Sequence, residues 1–261
     1  MIELPIKKTD KTYKINPSKI ITVEGNYRPN GKNHKKKDDL EINPESEPEE
    51  PIIFPKTSNC LIGPGKNIFI PKFLEDRNFF KLEVEYRAEL AIIIADDCKN
   101  VPKKKAMSHI FGFTAFNNVC QSNIERFDKA GWWLGRSLDT FGPIGPEVIR
   151  AKDIGDPHNL NIKCRLNDEL KQDSNTKHMI FKIPQLIAYL SQNFTLYKGD
   201  IITTGTPAGT GPVKHGDIVE VKISEIGKLK NNVIEESYVK LEKEEPEKKK
   251  KIKMKKEKDV E

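Results

Sequence analysis

Cysteine is scarce in this sequence. Four occur in 261 residues, at Cys60, Cys98, Cys120 and Cys164, too far apart to form a paired metal-ligand spacing. Their number and placement exclude a disulfide-stapled scaffold and a zinc module, and they read as reduced thiols of a cytoplasmic protein. Long apolar runs are missing too: none approaches the roughly 20 residues that a membrane-crossing helix needs. Met1 to Lys8 lacks the apolar stretch of a secretory signal, so no membrane partner is expected. A surplus of one charge is also lacking. The 45 Lys and Arg against 39 Asp and Glu leave a net charge of +6, which does not by itself argue for nucleic acid. No Gly-Lys-Ser/Thr follows a glycine-rich turn, which excludes a phosphate-binding P-loop.

What is present is organised around Glu83-Val84-Glu85-Tyr86-Arg87-Ala88-Glu89-Leu90-Ala91-Ile92-Ile93-Ile94. Side chains alternate along a strand. Glu83, Glu85, Arg87 and Glu89 therefore share one face, and the apolar end from Leu90 to Ile94 reads as a strand buried on both sides. Charges running into a buried strand are costly unless they pair or serve a site. The alternative is a solvent-exposed face with a cross-strand ion pair.

Three segments are expected. Residues 1–50 form an N-terminal β element and a polar lid loop, 51–236 form the main domain, and 237–261 are a charged Lys/Glu tail. Within the main domain Ile52 to Lys56 and Phe111 to Val119 read as strands, and Trp132 to Pro146 as a glycine- and proline-punctuated loop. The spacing of Ile183, Leu186, Ile187 and Leu190 predicts a helix over 183–193. The adjacent Trp132 and Trp133 are expensive to expose and suit a pocket wall, an interface or the core. From Gly199 to Gly211 a strand runs into a turn with backbone amides suited to an oxyanion or carboxylate.

Several of these pieces, in this order, resemble the fumarylacetoacetate hydrolase family. They are Gly25-Asn26-Tyr27, Phe54-Pro55-Lys56, Glu89 to Ile94, Gly112-Phe113-Thr114 with Asn118, Trp133 to Pro146, Gln172 to Thr176, and Gly199 through Gly211. The resemblance, strongest to the acylpyruvate hydrolase and 2-hydroxyhepta-2,4-diene-1,7-dioate isomerase branch, covers about residues 20–235. It implies a mainly β fold with some α, a mixed β-roll or β-sandwich, and a homodimer. Members cleave, isomerise or decarboxylate small 2-oxo acids on Mg²⁺ or Mn²⁺ held by three carboxylates. By the same resemblance Tyr27, Gln172, Thr176, Gly205, Thr206 and Pro207 are candidate substrate-binding residues, and Lys56, Arg87 and Arg136 candidate catalytic ones.

The metal positions depart from that pattern. They fall at Arg87, Glu89 and Asn118, and the lid positions of a His/Glu pair fall at Asn30 and Asn33, with His34 nearby. Three carboxylates carry −3, whereas Arg87, Glu89 and Asn118 sum to zero. A guanidinium stays charged. Bringing a dication within roughly 4 Å of it costs some 8 kcal/mol at an effective dielectric of about 20. Asparagine cannot take a proton from water. The expectation is therefore a metal-free, catalytically reduced member in which Arg87 pairs with Glu89 and, with Lys56 and Arg136, holds a small carboxylate. Two alternatives remain. One is an active hydrolase, isomerase or decarboxylase with Arg87 doing the electrostatic work of the ion. The other is a binding protein whose lysine-rich tail contacts RNA, ribosome or an acidic partner.

Overall fold

A computed structural model describes residues 2–28, 47–77, 79, 81–127 and 131–238. In chain order its strands begin with β1 (Ile2–Pro5), β2 (Thr12–Ile15), β3 (Ile20–Glu24), β4 (Ile52–Lys56), β5 (Leu61–Ile62) and β6 (Ile68–Ile70). Next come β7 (Val84–Tyr86), β8 (Ala88–Ile94), β9 (Ile110–Asn117), β10 (Cys120–Gln121), β11 (Gly142–Arg150) and β12 (Asn161–Leu166). The last are β13 (Glu169–Asn175), β14 (Ile201–Thr203), β15 (Gly211–Pro212), β16 (Ile218–Ile223) and β17 (Gly227–Glu235). Helices α1 (Ser122–Phe127), α2 (Gly131–Leu134) and α3 (Ile183–Asn193) accompany them.

The fold is mainly β, as the sequence predicts, with its large sheet curled into half a barrel. That sheet runs β4-β3-β14-β8-β9-β11-β5. β8 lies at its centre, antiparallel to β14 and β9, and every one of its residues is buried. The apolar run from Leu90 to Ile94 is thus covered on both faces. A second sheet, β13-β12-β16-β17-β6, packs beside it, and a small β10-β7-β15 sheet lies next to the start of β8. Helix α3 matches its periodicity: Ile183, Leu186, Ile187 and Leu190 are all buried. Among the described residues no helix is long and apolar enough to cross a membrane.

Two expectations change. The alternating stretch around Arg87 is not one strand. β7 pairs with β10 and β15, whereas β8 belongs to the large sheet, so the chain changes sheets at Arg87. There the backbone is pinned: the Arg87 amide donates to Asn117 Oδ1 at 3.0 Å, and its carbonyl accepts from Asn118 N at 2.8 Å. Gly142 to Pro146, expected as loop, starts β11. Gly142 is needed for close approach, since a Cβ there would lie 2.7 Å from Cys60 Sγ. Pro146 falls where the pairing to β9 shifts register, a position that does not need its missing N–H. In the same sheet β3 is an interior strand between β4 and β14. The lid positions Asn30, Asn33 and His34 and the tail from residue 239 lie outside the described residues.

Candidate functional site

The charged residues of the central stretch converge where β3 and β14 end and β8 begins. β3 brings Glu24, the sheet change brings Glu85 and Arg87, α1 brings Glu125, and the turn after α2 brings Arg136. Arg87 Nη1 lies 3.2 Å from Glu24 Oε2, and its Nη2 lies 3.5 Å from Glu85 Oε2 and 3.4 Å from Glu125 Oε2. Arg136 Nη1 lies 2.8 Å from the same Glu24 oxygen, and Arg136 also grips Glu125 through Nε and Nη2. Two guanidinium groups thus share three carboxylates, −3 against +2, with Arg136 only 1 % exposed. The Arg136 guanidinium lies over the Phe54 ring at 4.3 Å, the flat cation-on-ring contact that arginine favours.

Burial alone works against the charge on each arginine. For Arg87 the facing Glu24, Glu125 and Glu85 more than offset it and hold its pKa well above the usual range. Glu125 shows the mirror image: burial pushes its carboxyl up, but Arg136 and Arg87 bring it below the ordinary carboxylate range. Cys120, whose Sγ donates to Glu125 Oε2 at 2.8 Å, is pushed by burial up to about 12. It is therefore a packed thiol rather than a nucleophile.

The Arg87–Glu89 pair expected from the sequence does not form. Glu89 points to the other side, where Oε1 accepts from Asn118 Nδ2 at 2.8 Å and Oε2 from the Gly205 amide at 3.0 Å. Burial raises its carboxyl above the usual range, the nearby donors only partly opposing. Gly205 can present that amide because it sits at φ +88°, with Asn26 Cβ 3.0 Å from where a Cβ would be. Nor is Lys56 a free cation. Its ammonium is bound by Asn118 Oδ1 at 3.1 Å, by the Val119 carbonyl at 3.0 Å and by the Arg136 carbonyl, which uses all three of its donors. Burial pushes Lys56 down to about 8.

Of the remaining candidates, Gln172, Thr206 and Pro207 are joined to one another and to β8. Gln172 accepts from Ala88 N at 3.0 Å and donates to Thr206 Oγ1 at 2.9 Å and Pro207 O at 2.6 Å. Thr206 Oγ1 donates to Ala88 O at 2.8 Å. Together they tie the glycine turn to the start of β8. Thr176 Oγ1 accepts from Leu160 N at the base of the β12–β13 hairpin, and among the described residues no bond joins it to the cluster. The Tyr27 hydroxyl is buried with no hydrogen-bond partner among the described residues, and burial pushes its pKa up.

Sequence reasoning missed Glu24 and Glu125 as members of the site. Their partner Arg87 lies 63 and 38 residues away, so no local pattern links them. The one signal was Glu24, a charge closing the apolar run Ile20 to Val23 just before Gly25-Asn26-Tyr27. A depression of about 530 Å³ lined by Met107, Ile110, Phe111 and Arg150 lies past the far end of β8 and takes no part in this chemistry.

The sequence profile of the fumarylacetoacetate hydrolase C-terminal domain matches residues 19–234. An uncharacterised protein of Methanocaldococcus jannaschii is 44 % identical over 222 residues, 85 % of each chain. Mitochondrial oxaloacetate tautomerase FAHD2B of Bos taurus is 38 % identical over 226 residues, 84 % of this chain and 67 % of its own. The crystal structure of maleylpyruvate hydrolase from Sphingobium, in complex with manganese(II) and pyruvate, superposes with a TM-score of 0.68 at 30 % identity, covering 84 % of this chain and 71 % of that one. Architecture, sequence profile and relatives agree, and the chain belongs to the fumarylacetoacetate hydrolase family.

Proposed function

We propose that this chain is a metal-independent member of the family whose dication has been replaced by an internal guanidinium, with the metal-dependent turnover of 2-oxo acids lost. The observation that carries this reading is the position of Arg87, at a family ligand position and bound to Glu24, Glu85 and Glu125. The donor set does not suit Mg²⁺ or Mn²⁺. A hard dication needs several oxygens on one side of it, but Glu89 is held by Asn118 and Gly205 while the other three carboxylates are spent on arginines. Charge is nearly conserved by the exchange. Three carboxylates with a dication sum to −1, and Arg87, Glu89 and Asn118 sum to zero.

Because Arg87, Arg136 and Lys56 are all matched internally, they are poor anchors for a substrate anion. A small carboxylate, the ligand class the resemblance implies, is better served by the turn from Thr206 to Thr210, where Ala208 and Gly209 are exposed and can offer backbone amides. One observation favours the rival reading, in which Arg87 itself stabilises an enolate: its Nε–H is buried without a partner among the described residues. The carboxylates nearest that guanidinium, Glu24, Glu85 and Glu125, are engaged with arginines rather than poised as general bases, so the first reading is preferred.

The test is calorimetric titration with Mn²⁺ and Mg²⁺, run beside oxaloacetate tautomerisation and acylpyruvate cleavage assays. The natural chain should show neither micromolar metal binding nor metal-dependent turnover. An Arg87→Glu/Asn118→Asp variant should gain metal binding. Micromolar metal binding by the natural chain would overturn the reading, and turnover insensitive to chelator but abolished in Arg87→Ala would establish the rival.

A further inference from the structure

The depression past the far end of β8 lies a strand's length, roughly 20 Å, from the charged cluster. Its volume of about 530 Å³ falls within the range of small-molecule sites, about 300–1,000 Å³. Its floor is apolar. Met107, Ile110 and Phe111 form it, and Phe111 is the one residue of β9 that is not buried. Tyr13 of β2 packs on that ring, centroids 4.4 Å apart, so the ring is held before any ligand arrives. Its wall is basic. Arg150, at the end of β11, lines it with Lys152 and Ser108. Residues 103–109 form a 3₁₀ helix, in which side chains three apart eclipse. Met107 and Ser108 line the depression, so Lys104 and Lys105 stand one turn behind them on its rim. Lys104, Lys105 and Lys152 are exposed, and none has a carboxylate partner among the described residues. The acids next to the lining residues are already engaged. Asp96 is bound by His109 Nδ1 at 2.9 Å, and Asp153 by Arg150 Nε at 2.5 Å. That bond takes up Nε alone, and no hydrogen bond among the described residues occupies the two Nη groups of Arg150.

We propose that this depression binds a small carboxylic acid with a flat apolar body, of the aromatic carboxylate class. The two Nη groups of Arg150 match the two oxygens of a carboxylate in one plane. Lys105 and Lys152 add positive charge around them without a fixed bond. The body lies on Phe111 and Met107, where ring stacking and a thioether–ring contact are both on offer. Both halves of the ligand are needed. An acid without a body leaves the apolar floor in water, and a neutral ring leaves the guanidinium unanswered. The site is independent of the turn at Thr206 to Thr210, which offers backbone amides and no arginine.

Isothermal calorimetry on the full chain tests the proposal with naphthoate as the probe, beside naphthylmethanol and acetate, at low and high salt. One naphthoate should bind per chain, with a dissociation constant below about 1 mM, and more weakly as salt rises. Naphthylmethanol and acetate should each bind at least about tenfold more weakly. Arg150→Gln should weaken naphthoate by about tenfold or more. Lys105→Gln/Lys152→Gln, which alters only exposed side chains, should weaken it about threefold and flatten its salt dependence. Absence of binding, or naphthylmethanol bound as tightly as naphthoate, would refute the site. Full affinity in Arg150→Gln would place the probe elsewhere on the chain and refute it equally. If Arg150→Gln does not fold, the lysine variant decides, and unchanged affinity and salt dependence there would end the proposal.

Discussion

At the scale of single residues, Arg87 is the member whose loss should be felt most. Its guanidinium faces three buried or half-buried glutamates, so Arg87→Ala leaves them with Arg136 as their one remaining counter-charge among the described residues of the cluster. Breaking a buried ion set in this way costs about 3–5 kcal/mol, read as a fall in the urea midpoint at unchanged slope. Arg87→Lys should recover only part of this, because a compact ammonium cannot reach Glu24 on one side and Glu85 with Glu125 on the other. The sequence showed that a positive charge had entered the family's ligand position, since Arg87 sits two residues before Glu89 in an otherwise matching motif. It did not show what that charge binds. Its neighbour Glu89 proved to belong to Asn118 and Gly205, because the change of sheet at Arg87 separates the two side chains that simple alternation would place together.

At the scale of elements, helix α3 shows how a polar side chain outside any motif can set a boundary. His158, with no counterpart among the family's catalytic positions, accepts the Ile183 amide at Nε2, 3.2 Å away. Its Nδ1 faces Asp156 at 3.4 Å. The imidazole thus caps the first free N–H of the helix, but only while neutral. Burial lowers its pKa below the ordinary value, with Asp156 opposing and Lys182 adding to the shift. A histidine whose folded pKa is depressed contributes stability that is full above about pH 6.5 and is lost as the pH falls through the folded value. His158→Ala should therefore cost about 1 kcal/mol near neutral pH, as for a lost cap, and almost nothing in mild acid, measured by paired urea titrations. The extent of α3 itself was legible, because four apolar residues at helical spacing have one face to bury. β11 was not, because its glycines and prolines serve close packing and a register shift. β17 was not legible because its apolar positions are interleaved with lysine and asparagine, as a strand with one solvated face requires.

At the scale of the whole molecule, the curled sheet and its order around β8 follow from apolar runs that the sequence displays openly. The site followed only in outline, since its partners are brought together by folding across the chain. The proposed metal-free centre has a consequence that every residue shares. A micromolar site would add about 4 kcal/mol at a thousandfold excess of ion, which for a chain this size is about 8–16 °C in melting temperature. Thermal unfolding should instead shift by less than about 1 °C on adding Mn²⁺, Mg²⁺ or chelator, as scanning calorimetry would show. The five-membered arrangement of Glu24, Glu85, Arg87, Glu125 and Arg136 also constrains descent. No one of these positions can drift alone without stranding a charge in the interior, so among related sequences they should change as a set. A lineage that regains an acid at 87 should carry an acid at 118 and looser choices at 24 and 125, so that these columns together mark whether a relative uses an ion or an arginine.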